Sequence, residues 1–188
     1  MGYSSLSTRG SNKKEALMYE VTRVQWTPDR ESDIKEIYRM FKDQERKIFD
    51  LTAIDTSNVM DIVEYAIMED TVFIVKADDI ACACFIVENP AMYQGRLIKA
   101  NLHCVIRKAF WGKESRNICK AFLDFMDKYF APLKLTAFVP QCGYGIIKLL
   151  KDMGFVHEGT MKKSRLYLDK NNQPKLYDEL IYSRNRMD

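Results

Sequence analysis

The sequence predicts one α/β domain, a mixed and mostly antiparallel sheet flanked by helices, with elements in the order β-α-α-β-β-β-α-β-α-β-β. Three observations predict it. Leu97 to Phe130 reads as a strand, a glycine turn and an amphipathic helix. Ile80–Val87 is apolar on both faces, as a strand in the middle of a covered sheet must be. Shorter strand-like runs and helical stripes surround these two, without an internal repeat or a low-complexity segment. At 188 residues the chain can bury one core without disulfide or metal staples.

The elements follow in order. Residues 1–18 are rich in Ser, Gly, Lys and Arg and poor in apolar side chains, which predicts a flexible tail ahead of a domain over 19–188. Tyr19–Trp26 reads as the first strand. Thr27-Pro28 predicts a helix start, with Thr27 as N-cap, proline at the first helical position, and Asp29 and Glu31 in the first turn. Ile34, Ile37, Tyr38, Phe41 and Ile48 form that helix's apolar stripe. A second helix starting near Ser57 carries Val59, Val63, Ala66 and Ile67 on one face. Thr71–Ala77 and Ile80–Val87 flank Asp78-Asp79, the signature of a hairpin with a two-residue turn. Glu88 to Gly95 reads as a loop. Leu133–Val139 is a short strand closed by Pro140. Tyr144 to Met153 is a helix with Ile146, Ile147, Leu150 and Met153 inward, capped by Gly154. Phe155–Leu168 and Leu176–Ser183 read as a final hairpin around Asp169–Pro174.

The stretch from Leu97 carries the chemistry. Ile98, Ala100, Leu102, Cys104 and Ile106 fall on one face of the strand. Leu97, Lys99, Asn101, His103 and Val105 fall on the other, which holds the polar groups. Gly112 then opens a helix with Ile118, Phe122, Phe125, Met126 and Tyr129 at core spacing. Unpaired N–H groups at such a helix start stabilise an anion such as a phosphate, and Arg107, Lys108, Lys113 and Arg116 add positive charge. The same residues also fit a plain strand–turn–helix connection with a solvated basic rim.

Composition narrows the function classes. Hydrophobic residues make up 47% and charged residues 29% of the chain, ordinary values for a globular protein. A net charge of +3 without a Lys/Arg run argues against nucleic acid. There is no run of membrane-spanning length and no signal-peptide core, and Leu6 breaks the myristoylation pattern begun by Met1-Gly2. Cys82, Cys84, Cys104, Cys119 and Cys142 form no CxxC pair, and two histidines accompany them. They predict reduced, buried thiols in a cytosolic setting and no metal site.

This element order, with Gly154-Phe155-Val156-His157-Glu158-Gly159 after the last helix, resembles the GCN5-related N-acetyltransferases (the GNAT superfamily) over roughly Tyr19 to the C-terminus. The closing Tyr177-Asp178-Glu179-Leu180 is similar to the branch that acetylates ribosomal proteins. The resemblance implies acetyl-CoA as cofactor. Its pantetheine arm would lie along the organising strand at Val105, Ile106 and Arg107, and its pyrophosphate at Gly112, Lys113, Glu114, Ser115 and Arg116. It also implies an amine acceptor, whether a small molecule, a protein N-terminus or a lysine. Laying the family's pyrophosphate loop on Gly112 puts Trp111, Glu114 and Arg116 at its other defining positions, so one of three glycines is kept. The family's Asn and acid Tyr fall on Gly143 and Leu150; Tyr144 and Cys142 are the nearby groups that could return a proton instead.

The reaction needs a group to take a proton from the acceptor ammonium. His103 has the right chemistry on the polar face of the organising strand, and Glu88 and Glu158 are further carboxylate candidates. A histidine there also fits a plain hydrogen bond within the sheet. A strand bulge near Val105 or Ile106 would offer an oxyanion donor. The thinned glycines also resemble GNAT-like proteins of bacteriophages. Those imply a second reading: an inert scaffold or virion component that docks a protein partner through its N-terminal tail.

Overall fold

A computed structural model describes residues 17–43, 59–69, 71–169 and 171–186. Its seven strands form one sheet in the order β1-β2-β3-β4-β5-β7-β6. They are β1 (Tyr19–Val24), β2 (Val72–Ala77), β3 (Ile80–Tyr93), β4 (Arg96–Ile106), β5 (Lys134–Pro140), β6 (Val156–Leu168) and β7 (Pro174–Asn185). All neighbours are antiparallel except β4 and β5. The helices are α1 (Glu31–Lys42), α2 (Val59–Met68), α3 (Lys113–Tyr129) and α4 (Tyr144–Asp152). The predicted mixed α/β architecture is the one observed. The tail and Ile48 and Ser57 lie outside the described residues, Leu17 and Met18 excepted.

The sheet separates two apolar layers. On one face Ile118, Phe122 and Met126 of α3, with Ile147, Leu149 and Leu150 of α4, pack on Phe73, Phe85 and Leu135. Phe85 stacks on Phe122 with ring centroids 3.9 Å apart. On the other face Ile34, Ile37 and Phe41 of α1, with Ala66 and Ile67 of α2, pack on Ile74, Cys84, Ile86 and Val105. β3 belongs to both layers, which is why its sequence is apolar throughout. Asp33 is buried and pairs with Lys76 at 2.7 Å, tying α1 to β2.

Several expectations are corrected. Glu88 to Gly95 is strand, not loop: β3 runs on to Tyr93 and turns into β4 at Gln94-Gly95, both at positive φ. Pro90, without an N–H, falls where the ladder skips between Glu88 and Ala91, so the segment read as irregular. A second skip places a bulge at Ile98, which returns Leu97 to the α3 side of the core instead of the polar face. Thr27 does not cap: a 3-10 turn over Pro28–Arg30 precedes α1, and the hydroxyl serves Asp29 instead. Ile80, Tyr129 and Ile146 are exposed, not inward, because each lies at an element end beyond the reach of the opposite layer. Cys104 and Cys142 are exposed, not buried: Cys104 lies past the last β4–β5 rung, and Cys142 lies between β5 and α4.

Candidate active site

The site begins where β4 and β5 part. They pair only at Lys99↔Lys134, Ala100↔Leu135 and Asn101↔Thr136, although β4 continues to Ile106 and β5 to Pro140. Beyond that point β5 stays zipped to β7 down to Pro140↔Glu179, so β5, β7 and β6 diverge together from the rest of the sheet. Both strands lead into helices at this end, β4 through Gly112 into α3 and β5 through Gly143 into α4. The N-termini of two helices therefore flank the mouth of the cleft.

Backbone alternation fixes which groups line it. The N–H of Arg107 donates to Cys82 O on β3 at 3.0 Å. Residues two and four positions earlier, Val105 and His103, then also turn their backbone to β3. Leu102, Cys104 and Ile106 turn theirs to the β5 side, Leu102 within the last β4–β5 rung and Cys104 and Ile106 beyond it. Trp111 Nε1 already donates to Ile106 O at 2.9 Å. The bulge expected near Val105 is absent, since β3 and β4 pair without a skip from Ala83↔Ile106 to Glu88↔Asn101. Ile106 rather than Val105 thus turns its backbone to the β5 side.

At the start of α3, Gly112 adopts φ 90° and ψ −125°, a conformation that glycine alone enters without strain. Ser115 is buried and its hydroxyl donates to Phe110 O at 3.0 Å, bracing the turn. Glu114 accepts from the Tyr19 hydroxyl on β1 and from Asn117 Nδ2 at 3.2 Å, so its carboxylate is held against the helix's own flank and β1. Burial first, and then Glu114, pushes the Tyr19 phenol up to about 12, which keeps it a donor. Arg116 pairs with Asp152 of α4 at 2.8 Å. Arg107 pairs with Glu36 of α1. Lys113 is exposed at the first position of α3. The acid and two of the four bases around the turn are therefore committed elsewhere in the fold.

His103 faces the α1–α2 side of the sheet, beside Val105, and its Nε2 lies 2.9 Å from Glu88 Oε2. The hydrogen bond from His103 holds the Glu88 carboxyl below the usual carboxylate range, against the opposing effect of burial. The charges of His103 and Arg165 act in the same direction. An ionised Glu88 accepts the hydrogen bond from Nε2–H, which leaves Nδ1 as the ring's acceptor. His103 is thus hydrogen-bonded within the sheet, to a carboxylate of the neighbouring strand. Glu158 is engaged away from this pair, with Lys134 at 2.6 Å and the Ser183 hydroxyl at 3.0 Å. Tyr144 is 78% exposed at the first position of α4.

The sequence reading missed Arg165 and Glu179. Glu179 of β7 is buried and pairs with Arg165 Nε at 2.9 Å. A carboxylate inside the apolar run Leu176–Tyr182 was the available signal. A concavity of about 650 Å³ lined by Glu36, Arg39, Met40, Asp43, Arg107 and Lys108 lies beside α1.

No family model matches the chain, and no curated protein matches it. Solved structures do. A Staphylococcus epidermidis protein assigned to the acetyltransferases superposes with TM-score 0.66 at 13% identity, covering 90% of this chain and 100% of its own. The ribosomal-protein-S5-alanine acetyltransferase of Vibrio fischeri gives 0.65 at 15% identity, over 93% and 98%. A Salmonella typhimurium protein solved with its cofactor acetyl-CoA gives 0.60 at 10% identity, over 89% and 93%. At such identities the likeness shows the fold: a seven-stranded, mostly antiparallel sheet flanked by helices, as in the GNAT acetyltransferases.

Proposed function

We propose that the chain is an acetyl-CoA-dependent N-acetyltransferase acting on a primary amine. The parted β4 and β5, with the α3 N-terminus at their mouth, carries this reading. The residues present fit the cofactor. The β4 edge beyond its last rung with β5, at Cys104, would hold an extended, amide-bearing pantetheine arm as an added strand does. The N–H groups from Gly112 to Arg116 would hold the diphosphate. A Cβ placed on Gly112 would meet nothing within 4 Å, so the approach to the turn is open. Bound there, acetyl-CoA supplies the acetyl group as a thioester.

The chain's own residues supply the rest. His103 Nδ1 takes a proton from the acceptor's ammonium, and Glu88 stabilises the imidazolium that results. The N–H of Cys104 is the donor for a carbonyl oxygen in the cleft. Leu150 has no proton to give, so Tyr144 is the proton donor of this proposal. Titration calorimetry with CoA on the purified chain tests it. Measurable heat, lost in Gly112→Val, is expected; no heat at millimolar CoA would leave an inert scaffold with this fold.

A further inference from the structure

Trp111 is exposed yet held in place, and the reaction as proposed gives it no part. It is 53% exposed. Its Nε1–H donates to the Ile106 carbonyl at 2.9 Å, which fixes the ring. Ile106 turns its backbone to the β5 side and lies past the last β4–β5 rung, Asn101↔Thr136. The indole therefore stands on the parted edge of β4, directly ahead of Gly112 and the start of α3. An indole has a single polar atom, and here it is already satisfied. What the ring offers a ligand is apolar surface.

The same hydrogen bond limits what β4 can offer. Beyond the last rung with β5, Cys104 and Ile106 are the residues of β4 whose backbone turns to the β5 side. Trp111 engages the Ile106 carbonyl, so an extended ligand pairing with this edge pairs at Cys104. It then leaves the edge before the turn into α3, and the surface it meets there is the indole. The chemistry of the cofactor says which part that is. The pantetheine arm carries its thioester and amides towards one end and the diphosphate at the other. Between them comes a quaternary carbon with paired methyl groups, the most apolar part of the arm. Amides at Cys104 and a diphosphate at Gly112 to Arg116 place that carbon over Trp111. Side-chain charge is partly withheld from the diphosphate end, since Arg107 is paired with Glu36 and Arg116 with Asp152.

We infer that Trp111 is a binding residue for the pantetheine arm: its indole packs against the dimethyl carbon, and its bond to Ile106 sets where the arm leaves β4. This rests on the acetyl-CoA reading for the identity of the ligand. Taking a pair of methyl groups out of water against a fixed ring strengthens binding about tenfold. A smaller side chain at this position leaves those methyl groups in solvent and frees the Ile106 carbonyl.

Fluorescence and calorimetry on the full chain test it. The chain has two tryptophans, and Trp26 is exposed beyond the end of β1, so Trp26→Phe leaves Trp111 as the reporter. In that variant CoA should shift Trp111 emission to the blue, as methyl groups replace water at the ring. Pantetheine at millimolar concentration should give the same shift, and adenosine bisphosphate, the other half of the cofactor, none. Independently of Trp26, Trp111→Ala should weaken CoA about tenfold in titration calorimetry. The melting temperature of that variant without ligand should stay close to native, because the ring belongs to neither core layer. CoA heat without an emission change would overturn the inference. So would a shift with adenosine bisphosphate and none with pantetheine, which would put adenine on the ring, or native CoA affinity in Trp111→Ala. Absence of CoA heat would sink the acetyltransferase reading; a pantetheine shift would then leave the Trp111 contact standing, and no shift would remove it too.

Discussion

At the residue scale the contact that matters joins His103 to a carboxylate fifteen positions earlier. Glu88 sits at the last regular pair before the Pro90 irregularity, and its side chain reaches diagonally to the imidazole. If His103 is the base, His103→Ala should slow turnover by about a hundredfold or more, the usual worth of a positioned general base. CoA heat should be unchanged, because the ring lies on the sheet face opposite α3. A variant with full turnover would remove His103 from the chemistry. The pair also fixes a pH response. Glu88 has its folded pKa lowered, chiefly by the hydrogen bond from His103. Its stabilising contribution is therefore present above the ordinary carboxylate pKa and is lost as pH falls through the lowered folded value. Melting temperature should decline less steeply from neutral to acid pH in His103→Ala than in the native chain. Matching slopes would show that the imidazole is not what holds Glu88 ionised.

At the element scale, the turn into α3 and the strand β3 behave differently under substitution. Gly112 has open space around it, so the obstacle to a side chain there is the backbone angle itself. Gly112→Val should reshape the turn and abolish CoA heat, with only a small fall in melting temperature because nothing in the core touches it. Retention of CoA binding in that variant would move the diphosphate away from the α3 start. β3 is the reverse case. Phe85 is buried between both its strand neighbours and Phe122. Phe85→Ala should cost about 3–5 kcal/mol in denaturant unfolding, the range for deleting a buried aromatic side chain. That is a large share of a domain's stability of about 5–15 kcal/mol. A loss below 1 kcal/mol by the same measure (on the order of a surface change) would mean that β3 is not central.

Over the whole molecule, charges are spoken for by the fold more than a cofactor site would need. Arg107 bonds to α1 and Arg116 to α4, so both brace the layers around the cleft. CoA binding should then draw mainly on backbone N–H groups and on Lys113, and its affinity should weaken only modestly with added salt. Stabilisation by CoA should still grow with its concentration, as binding to the native state alone requires. Thermal melts across a CoA series at low and high salt measure both. A steep salt dependence would show that Arg107 and Arg116 abandon their carboxylate partners on binding.

Local chemistry made much of this protein legible in its sequence. The two-sided apolar run Ile80–Val87, the Asp78-Asp79 turn, the helical stripe of Ile118, Phe122 and Met126, and Gly112 at the start of α3 each follow from periodicity or backbone freedom within a few residues. The same locality explains the failures. Pro90 broke the pattern of a strand that in fact continues, because the ladder that absorbs the break is supplied by β4. Glu114 and Arg116 stand where the family's loop has glycines, and the partners the fold gives them, Tyr19 and Asp152, lie far off in the chain. The parting of β4 from β5 is written in neither strand; it follows from β5 being zipped along its full length to β7. The His103–Glu88 contact joins β4 to β3, and the Arg165–Glu179 contact joins β6 to β7. Only a tertiary structure brings those together, because side-chain pairing across a sheet depends on register between segments far apart in the chain.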